Sequence, residues 1–271
     1  MKGVEVWQHR DVTLYRGDCL EVLPTLAPDA AACTITDPPY GDTALEWDSR
    51  VKGWMDVLPT PVLWCFGSLR FFLGERFDGW SLAQDVIWEK HNGSNFHNDR
   101  FRRVHETIAM FYRGSWADVY KAPQFTLDAT KKTVRRKQRP PHMGQIGAGP
   151  YESIDGGPRH MRSVMRVRSC HGHAEHPTQK PVELIEPLIR YSAPEGATVL
   201  DCFAGSGSTM VACVRTGRRG IGIEMNAEHF ETAKARVLRA YDAEALFTGR
   251  GVEEVPLPLA GSDRGRSPLS Q

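Results

Sequence analysis

One loop of the sequence has the composition of a ligand-binding turn: Asp201-Cys-Phe-Ala-Gly-Ser-Gly-Ser208. It lies between a predicted strand, residues 199–201, and a predicted helix, residues 208–215. Glycines at 205 and 207 let the backbone bend sharply and approach a ligand closely. A dinucleotide-binding fingerprint would place a third glycine at Met210, and a phosphate-binding P-loop would need Gly-Lys-Ser/Thr, which does not follow. The loop therefore fits neither fingerprint.

Two acidic residues flank this loop. Glu224 ends the next predicted strand, residues 220–224, where a carboxylate can accept hydrogen bonds from ribose hydroxyls. Asp201 adds a carboxylate that would face the positive amino-acid end of S-adenosylmethionine but would repel a pyrophosphate. The pair favours S-adenosylmethionine over NAD. The alternative is an ordinary tight turn between a strand and a helix.

A second loop, Thr36-Asp-Pro-Pro-Tyr-Gly41, follows a predicted strand over residues 32–35. The two prolines fix φ near −65° and remove two N–H donors, so the loop is rigid and rich in acceptors. Asp37 and the carbonyl of Pro38 match the two hydrogens of an amino group, and Tyr40 offers a ring on which a base can stack. The loop predicts a site for the amino group of a base. A simple Pro-Pro turn after a strand is the alternative.

The two loops together resemble the amino-methyltransferase family that modifies adenine N6 or cytosine N4 in DNA. His176-Pro-Thr-Gln-Lys-Pro-Val-Glu-Leu184 is similar to a further signature of that family. Arg16-Gly-Asp-Cys-Leu20 resembles the segment whose acid approaches the adenine of the cofactor, which implicates Asp18. The motif order, with the base loop first, resembles the β class. The resemblance covers roughly residues 12–114 and 176–241.

This resemblance implies the roles of named residues. The catalytic residues that it implies are Asp37, Pro38, Pro39 and Tyr40. The cofactor-binding residues that it implies are Asp18, Thr178, Gln179, Lys180, Asp201, Phe203, Gly205, Ser206, Gly207, Glu224, Met225 and Asn226. The chain departs from the family at Cys202, where a proline is common, and at Pro187, which interrupts a helix predicted over residues 181–192.

The predicted elements indicate a doubly wound, Rossmann-like α/β fold of the S-adenosylmethionine-dependent methyltransferase type. Short apolar runs alternate with amphipathic stretches over residues 12–114 and again over 176–247. A methyl group can pass between the two loops only if both lie at the carboxyl edge of one parallel sheet. The motif order then requires a circular permutation, with the ends of the domain close together. We assign the catalytic domain to residues 1–114 and 173–248.

Residues 115–172 lose this alternation and form a predicted irregular insert for DNA recognition. Between residues 115 and 170 there are eleven basic and four acidic residues, a net charge of +7, which leaves −6 for the rest of a chain whose total is +1. Such segregation is typical of a polyanion partner, although a solvated loop would also produce it. The predicted DNA-binding residues are Lys131, Lys132, Arg135, Arg136, Lys137 and Arg139. The tail, residues 249–271, is predicted to be disordered.

The composition favours a cytoplasmic protein. Mean hydropathy is −0.41, and the sequence contains neither a membrane-length apolar run nor an apparent signal peptide. The six cysteines are scattered singly, as expected of reduced thiols rather than a disulfide framework. A zinc site at Cys170, His171, His173 and His176 is disfavoured because the sequence has no Cys-x₂-Cys partner, so we expect no metal.

The predicted reaction is base flipping of double-stranded DNA followed by methylation of adenine N6. Cytosine N4 is the rival target; family members acting on it more often carry serine before Pro-Pro-Tyr, so Asp37 favours adenine. A catalytically silent DNA-binding module is the alternative from another class, against which the intact Asp37, Tyr40, Asp201 and Glu224 argue. The DNA sequence that is recognised, the presence of a cognate restriction enzyme and the oligomeric state stay open, and a homodimer is compatible with the sequence.

Overall fold

The computed structural model describes residues 3–42, 48–94, 99, 101–134, 151–170 and 179–248. Over these residues the strands are β1 (Glu5–His9), β2 (Val12–Arg16), β3 (Cys33–Thr36), β4 (Val62–Gly67), β5 (Ser81–Ser94), β6 (Arg103–Tyr112), β7 (Phe125–Thr126), β8 (Lys132–Val134), β9 (Tyr151–Ser153), β10 (Arg159–His160), β11 (Val164–Arg166), β12 (Thr198–Asp201) and β13 (Arg219–Glu224). The helices are α1 (Cys19–Val22), α2 (Leu69–Gly74), α3 (Val182–Ser192), α4 (Ser208–Arg215) and α5 (Ala227–Thr248), with a 3₁₀ turn at Leu23–Thr25.

A nine-stranded sheet organises the fold, in the order β1-β2-β13-β12-β3-β4-β6-β5-β11. The five strands from β2 to β4 run parallel to one another, and β6 is antiparallel to both of its neighbours. Strands β3 and β4 are buried at every residue, as strands covered on both faces of a parallel sheet should be. Helices α3 and α4 bury apolar faces in the same core. The predicted doubly wound α/β fold is confirmed.

The strand order shows the predicted permutation directly. β13, near the end of the chain, pairs in parallel with β2, so that Gly220 lies opposite Val12. Helix α5 then returns toward the start of the chain, and the backbone N–H of Asp11 donates to the Tyr241 hydroxyl at 3.1 Å. Pro187 lies within α3, as expected, and that helix still runs unbroken from residue 182 to 192.

The described parts of the predicted irregular insert contain short strands. β7 pairs with β10 and β8 pairs with β9 in two small antiparallel sheets. β11 instead pairs in parallel with β5 and so becomes the edge of the main sheet. The sequence gives little sign of β11, because three residues of alternating exposure carry almost no periodic signal. Part of residues 115–172 therefore belongs structurally to the main sheet.

None of the described helices is long and apolar enough to cross a membrane. The six cysteines are all free thiols, of which five are buried and Cys170 is half-buried. The predicted tail, residues 249–271, lies outside the described residues.

Candidate active site

The candidate site lies where the strand order reverses. In the sheet, β13 and then β2 lie on one side of β12, and β3 and then β4 lie on its other side. In doubly wound sheets, ligands bind at such a switch point, beyond the carboxyl ends of the strands. The acids Asp18, Asp37, Asp201 and Glu224 all lie at or just after the carboxyl ends of these parallel strands. The two loops predicted from the sequence are therefore neighbours.

Helix α5 packs against the glycine loop, residues 201–208. Gly207 has φ of +77°, and a Cβ added there would lie 2.9 Å from the Cβ of Ala233 on α5. Gly205 has φ of +51°, but a Cβ added there would meet no atom within 4 Å. The guanidinium of Arg236, which is buried, donates to the carbonyl and the hydroxyl of Ser206, each at 2.7 Å. Gly207 thus serves packing, whereas the open space at Gly205 suits a ligand.

Glu224 shapes the same loop from β13. Its Oε2 accepts from the backbone N–H of Gly205 at 2.7 Å, and its Oε1 accepts from that of Asn226 at 2.7 Å. Burial raises the pKa of Glu224, while these backbone hydrogen bonds oppose the rise. Each carboxylate oxygen accepts two hydrogen bonds, so Glu224 retains acceptor sites for the hydroxyls of a ligand.

Asp201 connects the two loops. The hydroxyl of Thr36, the last residue of β3, donates to Asp201 Oδ1 at 2.7 Å, and the backbone N–H of Phe203 donates to the same oxygen at 3.1 Å. Both side chains are buried, with Asp201 only 4% exposed. Burial raises the pKa of Asp201 to about 6, although hydrogen bonds from Thr209 and Thr36 oppose the rise. This geometry favours a structural role for Asp201, in which it holds the two loops together, over contact with a ligand.

The remaining predicted cofactor residues make local contacts where they are described. Asp18 caps α1, with Oδ1 accepting from the N–H of Leu20 at 2.9 Å. The ring of Phe203 packs edge-on against Trp54, with centroids 5.3 Å apart. Met225 is exposed, and the side-chain oxygen of Asn226 accepts from the backbone N–H groups of Glu228 and His229 in the first turn of α5. Gln179 is half-buried. Thr178 lies outside the described residues.

The base loop is held rigidly. Asp37 accepts a short hydrogen bond from the Tyr40 hydroxyl through Oδ1, and its Oδ2 lies 2.6 Å from the ammonium of Lys180. Arg50 Nε donates to the carbonyl of Tyr40 at 2.7 Å, and the loop glycine Gly41 is in the left-handed region. Pro38 is buried and Pro39 half-buried. The predicted catalytic residues thus form one cluster, which also includes Lys180, a residue predicted to bind the cofactor.

A chain of four charges extends from Asp37 into the sheet. Lys180 also lies 3.3 Å from Glu106 Oε2 on β6, and Glu106 Oε1 pairs closely with Lys90 on β5. Burial would raise the pKa of Glu106, but Lys180 and Lys90 lower it to about 2. Burial would lower the pKa of Lys180, but Asp37 and Glu106 raise it. Burial raises the pKa of Asp37, with Lys180 opposing the rise and Glu106 adding to it.

The sequence model of the DNA methylase family, which comprises N6 and N4 methyltransferases, matches residues 31–235. That span is more than half of the chain and includes both loops. The chain belongs to the DNA methylase family. The family assignment made from the two loops is confirmed, and with it the enzyme class, a DNA methyltransferase.

This DNA methylase is similar to one relative in sequence and to two solved structures in fold. It is 27% identical over 262 residues to the type II methyltransferase M.HinfI of Haemophilus influenzae, covering 83% of this chain and 68% of that protein. It resembles the M1.HpyAVI–SAM complex with a TM-score of 0.55 and 23% identity, over 83% of this chain and 98% of that one. It resembles the cytosine-N4-specific PvuII DNA methyltransferase with a TM-score of 0.56 and 16% identity, over 88% and 93% of the two chains.

Three residues of this methylase site were missed from the sequence. Arg236 has no sequence signal beyond its position on a long helix. Glu106 and Lys90 lie in a stretch that carries none of the family motifs. Only the register of β5 with β6, which pairs Trp88 with Glu106, brings the two charges together.

The predicted DNA-binding residues of the methylase are described only in part. Lys131 and Lys132 are exposed, and Lys132 begins β8. Arg135, Arg136, Lys137 and Arg139 lie outside the described residues. Among the described residues, no group of three or more histidines, cysteines or acids is arranged to hold a metal ion. Three of the four residues of the disfavoured zinc site, His171, His173 and His176, lie outside that part of the chain.

Proposed function

We propose that this DNA methylase transfers the methyl group of S-adenosylmethionine to the N6 amino group of adenine in DNA. The observation that carries the proposal is the position of Asp37. Its carboxylate lies at the carboxyl end of β3, and the neighbouring Thr36 hydrogen-bonds at 2.7 Å to the acid that opens the glycine loop. An acceptor for an amino group is thereby fixed beside a loop suited to the cofactor.

The base loop fits a flipped base. A base stacked in a duplex must leave the stack to reach Asp37, at a cost of a few kcal/mol. Its amino lone pair is delocalised into the ring and is a weak nucleophile. Hydrogen bonds from the amino group to Asp37 and the Pro38 carbonyl favour the pyramidal nitrogen that forms as it attacks. Asp37 is an orienting acceptor in this scheme, and Tyr40 is the stacking surface.

The glycine loop fits S-adenosylmethionine. Gly205 leaves open space at the loop, Glu224 keeps acceptor sites for ribose hydroxyls, and Asp18 lies at the carboxyl end of the neighbouring strand β2. We assign Phe203, Met225 and Asn226 to the walls of this site, and Gln179 and Thr178 to its rim. When bound, the cofactor supplies an electrophilic methyl group on its sulfonium. The loop contributes proximity and orientation rather than acid–base chemistry.

The choice of adenine rests on Asp37. Family members that act on cytosine N4 more often carry serine before Pro-Pro-Tyr. Because a cytosine-N4-specific enzyme shares the fold, N4-methylcytosine is the second candidate product. The reaction would take place in the cytoplasm, where free thiols stay reduced.

DNA binding is assigned to the basic segment. We propose that residues 1–114 and 173–248 form the catalytic domain and that 115–172 recognises DNA, with β11 anchoring this segment to the main sheet. Lys131, Lys132, Arg135, Arg136, Lys137 and Arg139 would contact phosphates. Such contacts contribute affinity at every sequence and not base choice.

The test combines one variant with product analysis. Asp37→Ala should lower methyl transfer at least about 10²-fold, the scale of losing one electrostatic catalytic contact, with little change in cofactor affinity by calorimetry. Asp242→Ala removes an exposed acid of α5, outside the segment assigned to DNA, and is the control. Mass spectrometry of nucleosides from the methylated DNA identifies the base. Full turnover by Asp37→Ala would refute the assignment of Asp37. Detection of N4-methylcytosine instead of N6-methyladenine would show that cytosine is the target base.

A further inference from the structure

The β5–β6 hairpin contributes two charged residues to the base site without reaching the base. Glu106 and Lys90 contact Asp37 only through Lys180, which lies 2.6 Å from Asp37 and 3.3 Å from Glu106. Only 10% of the Lys180 side chain and 13% of the Glu106 side chain are exposed. Charges this deep are rarely needed for stability, because apolar residues of similar volume often stabilise a fold equally well. Beside a reactive carboxylate they point to function.

We propose that Glu106 and Lys90 are positioning residues, which act through Lys180 to fix the carboxylate of Asp37 for the amino group of the base. This inference rests on the proposed function. It assigns a task to a hairpin that carries none of the family motifs found in the sequence.

The alternation of charge explains why four groups are needed. Lys180 alone would neutralise Asp37, but Glu106 competes with Asp37 for the same ammonium. Lys90 pairs with Glu106 from the other side and reduces that competition. The unequal distances, 2.6 Å and 3.3 Å, show that Lys180 lies nearer to Asp37. Loss of Lys90 should draw Lys180 toward Glu106, and loss of the Glu106 charge should leave Lys180 to Asp37 alone.

The other groups that face this cluster come from several elements. Tyr40 donates to Asp37 from the base loop, and burial raises the pKa of the Cys65 thiol on β4 well above its usual value, so this thiol adds no charge to the cluster. Asp201 lies across the site, and its charge and that of Asp37 repel each other. The ring of Phe66 covers Lys180, with its centroid 5.5 Å from Nζ. Glu106 pairs directly with Lys180, and Lys90 pairs with Glu106, so these two charges bear on the ion pair between Lys180 and Asp37.

The two charges should therefore act on Asp37 in opposite directions. An ionised carboxylate is a stronger acceptor for an amino group than a protonated carboxyl group, so methyl transfer slows as the pH falls through the pKa of Asp37. Burial and Glu106 raise that pKa, and Lys180 lowers it. Glu106→Gln removes a like charge, so activity should extend to lower pH. Lys90→Met strengthens the competition for Lys180, so activity should begin to fall at higher pH.

The experiment measures single-turnover methyl transfer onto DNA as a function of pH, with saturating S-adenosylmethionine, for Glu106→Gln, Lys90→Met and the double variant. We expect the acidic limb to move by about one pH unit in opposite directions for the single variants, roughly a tenfold rate change on that limb. The charge-balanced double variant should lie between them. The Michaelis constant for S-adenosylmethionine should stay within about threefold in all three, since positioning of the base is not cofactor binding.

Glu89→Gln is the matched control. Glu89 is the neighbour of Lys90 on β5, and its carboxylate pairs with Arg166 on the surface at 2.8 Å. Its loss removes the same charge without touching Lys180, so the pH profile of the parent should be retained. If Glu106→Gln and Lys90→Met move the limb in the same direction, or leave it where the parent has it, the inference is wrong.

A second measurement is independent of activity. The carboxyl ¹³C shift of Asp37, followed by NMR as the pH changes, reports its titration directly in the parent, in Glu106→Gln and in Lys90→Met. If the parent methylates no DNA, the proposed function fails. Equal titration of Asp37 in the parent, Glu106→Gln and Lys90→Met would instead refute the positioning inference alone.

Discussion

Replacing Asp201 by asparagine should stabilise the folded protein at neutral pH. The carboxyl group is buried between β12 and the glycine loop, and burial raises its pKa from 3.8 to about 6. A shift of about two units corresponds to about 3 kcal/mol between the protonated and ionised forms. Because the pKa is higher in the folded state, the contribution of Asp201 to stability is complete below about pH 4 and is lost as the pH rises through about 6.

Asparagine keeps the contacts and removes the charge. Its amide oxygen can accept from the Thr36 hydroxyl and the Phe203 N–H, as Oδ1 does at 2.7 and 3.1 Å. The hydroxyl of Thr209, which hydrogen-bonds to Asp201, can accept as well as donate and so can take up the amide hydrogens. Asp201→Asn should therefore be more stable than the parent at about pH 8, by up to about 3 kcal/mol.

Urea unfolding followed by tryptophan fluorescence measures this difference. The protein is kept free of cofactor, because a ligand that binds only the folded state would add its own stabilisation. The advantage of the variant should shrink between about pH 8 and about pH 5 and approach zero near pH 4. Asp118→Asn makes the same chemical change at an exposed position and should show no such trend. A variant less stable than the parent at pH 8, or a difference that is constant with pH, would refute the reasoning.

Three further outcomes are expected. Glu224→Ala should weaken S-adenosylmethionine binding by roughly 1.5–3 kcal/mol in calorimetry without changing the methylated base, and unchanged affinity would remove Glu224 from the ribose site. Gly207→Ala should lower the thermal midpoint more than Gly205→Ala, because both require a left-handed backbone but only position 207 lacks room for a Cβ. A variant with three basic residues replaced by alanine should flatten the slope of log K against log salt for DNA binding by up to about three units. A slope equal to that of the parent would show that the basic cluster is a solvated loop that does not contact DNA. The residues replaced in it are Arg135, Arg136 and Lys137.

Much of the central sheet could be predicted from the sequence. The runs at residues 32–35, 199–201 and 220–224 are all predicted as strands, and each lies within or overlaps a strand of the structure. A parallel strand buried on both faces needs a continuous apolar run, which is visible without any knowledge of its neighbours. The helix at Ser208–Arg215 was predicted with the same bounds that the structure shows.

Contacts between distant elements could not be predicted in the same way. Glu106 and Lys90 are separated along the chain, and their pairing depends on the register of a hairpin with an irregularity near its tip. The family resemblance implies a cofactor role for Lys180, whereas the structure places its ammonium 2.6 Å from Asp37. Local patterns identify the elements, and tertiary packing decides which side chains meet.

The late position of β12 and β13 in the chain affects how the protein is made. These two strands separate β2 from β3 in the sheet, so until they emerge from the ribosome one edge of β3 has no partner. About 160 residues lie between β3 and β12, which at 5–20 residues per second takes roughly 10 to 30 s. During that interval the nascent chain exposes an apolar strand edge of the kind that promotes aggregation. Fragments that end before residue 198 should therefore be insoluble, even though they contain the whole base loop.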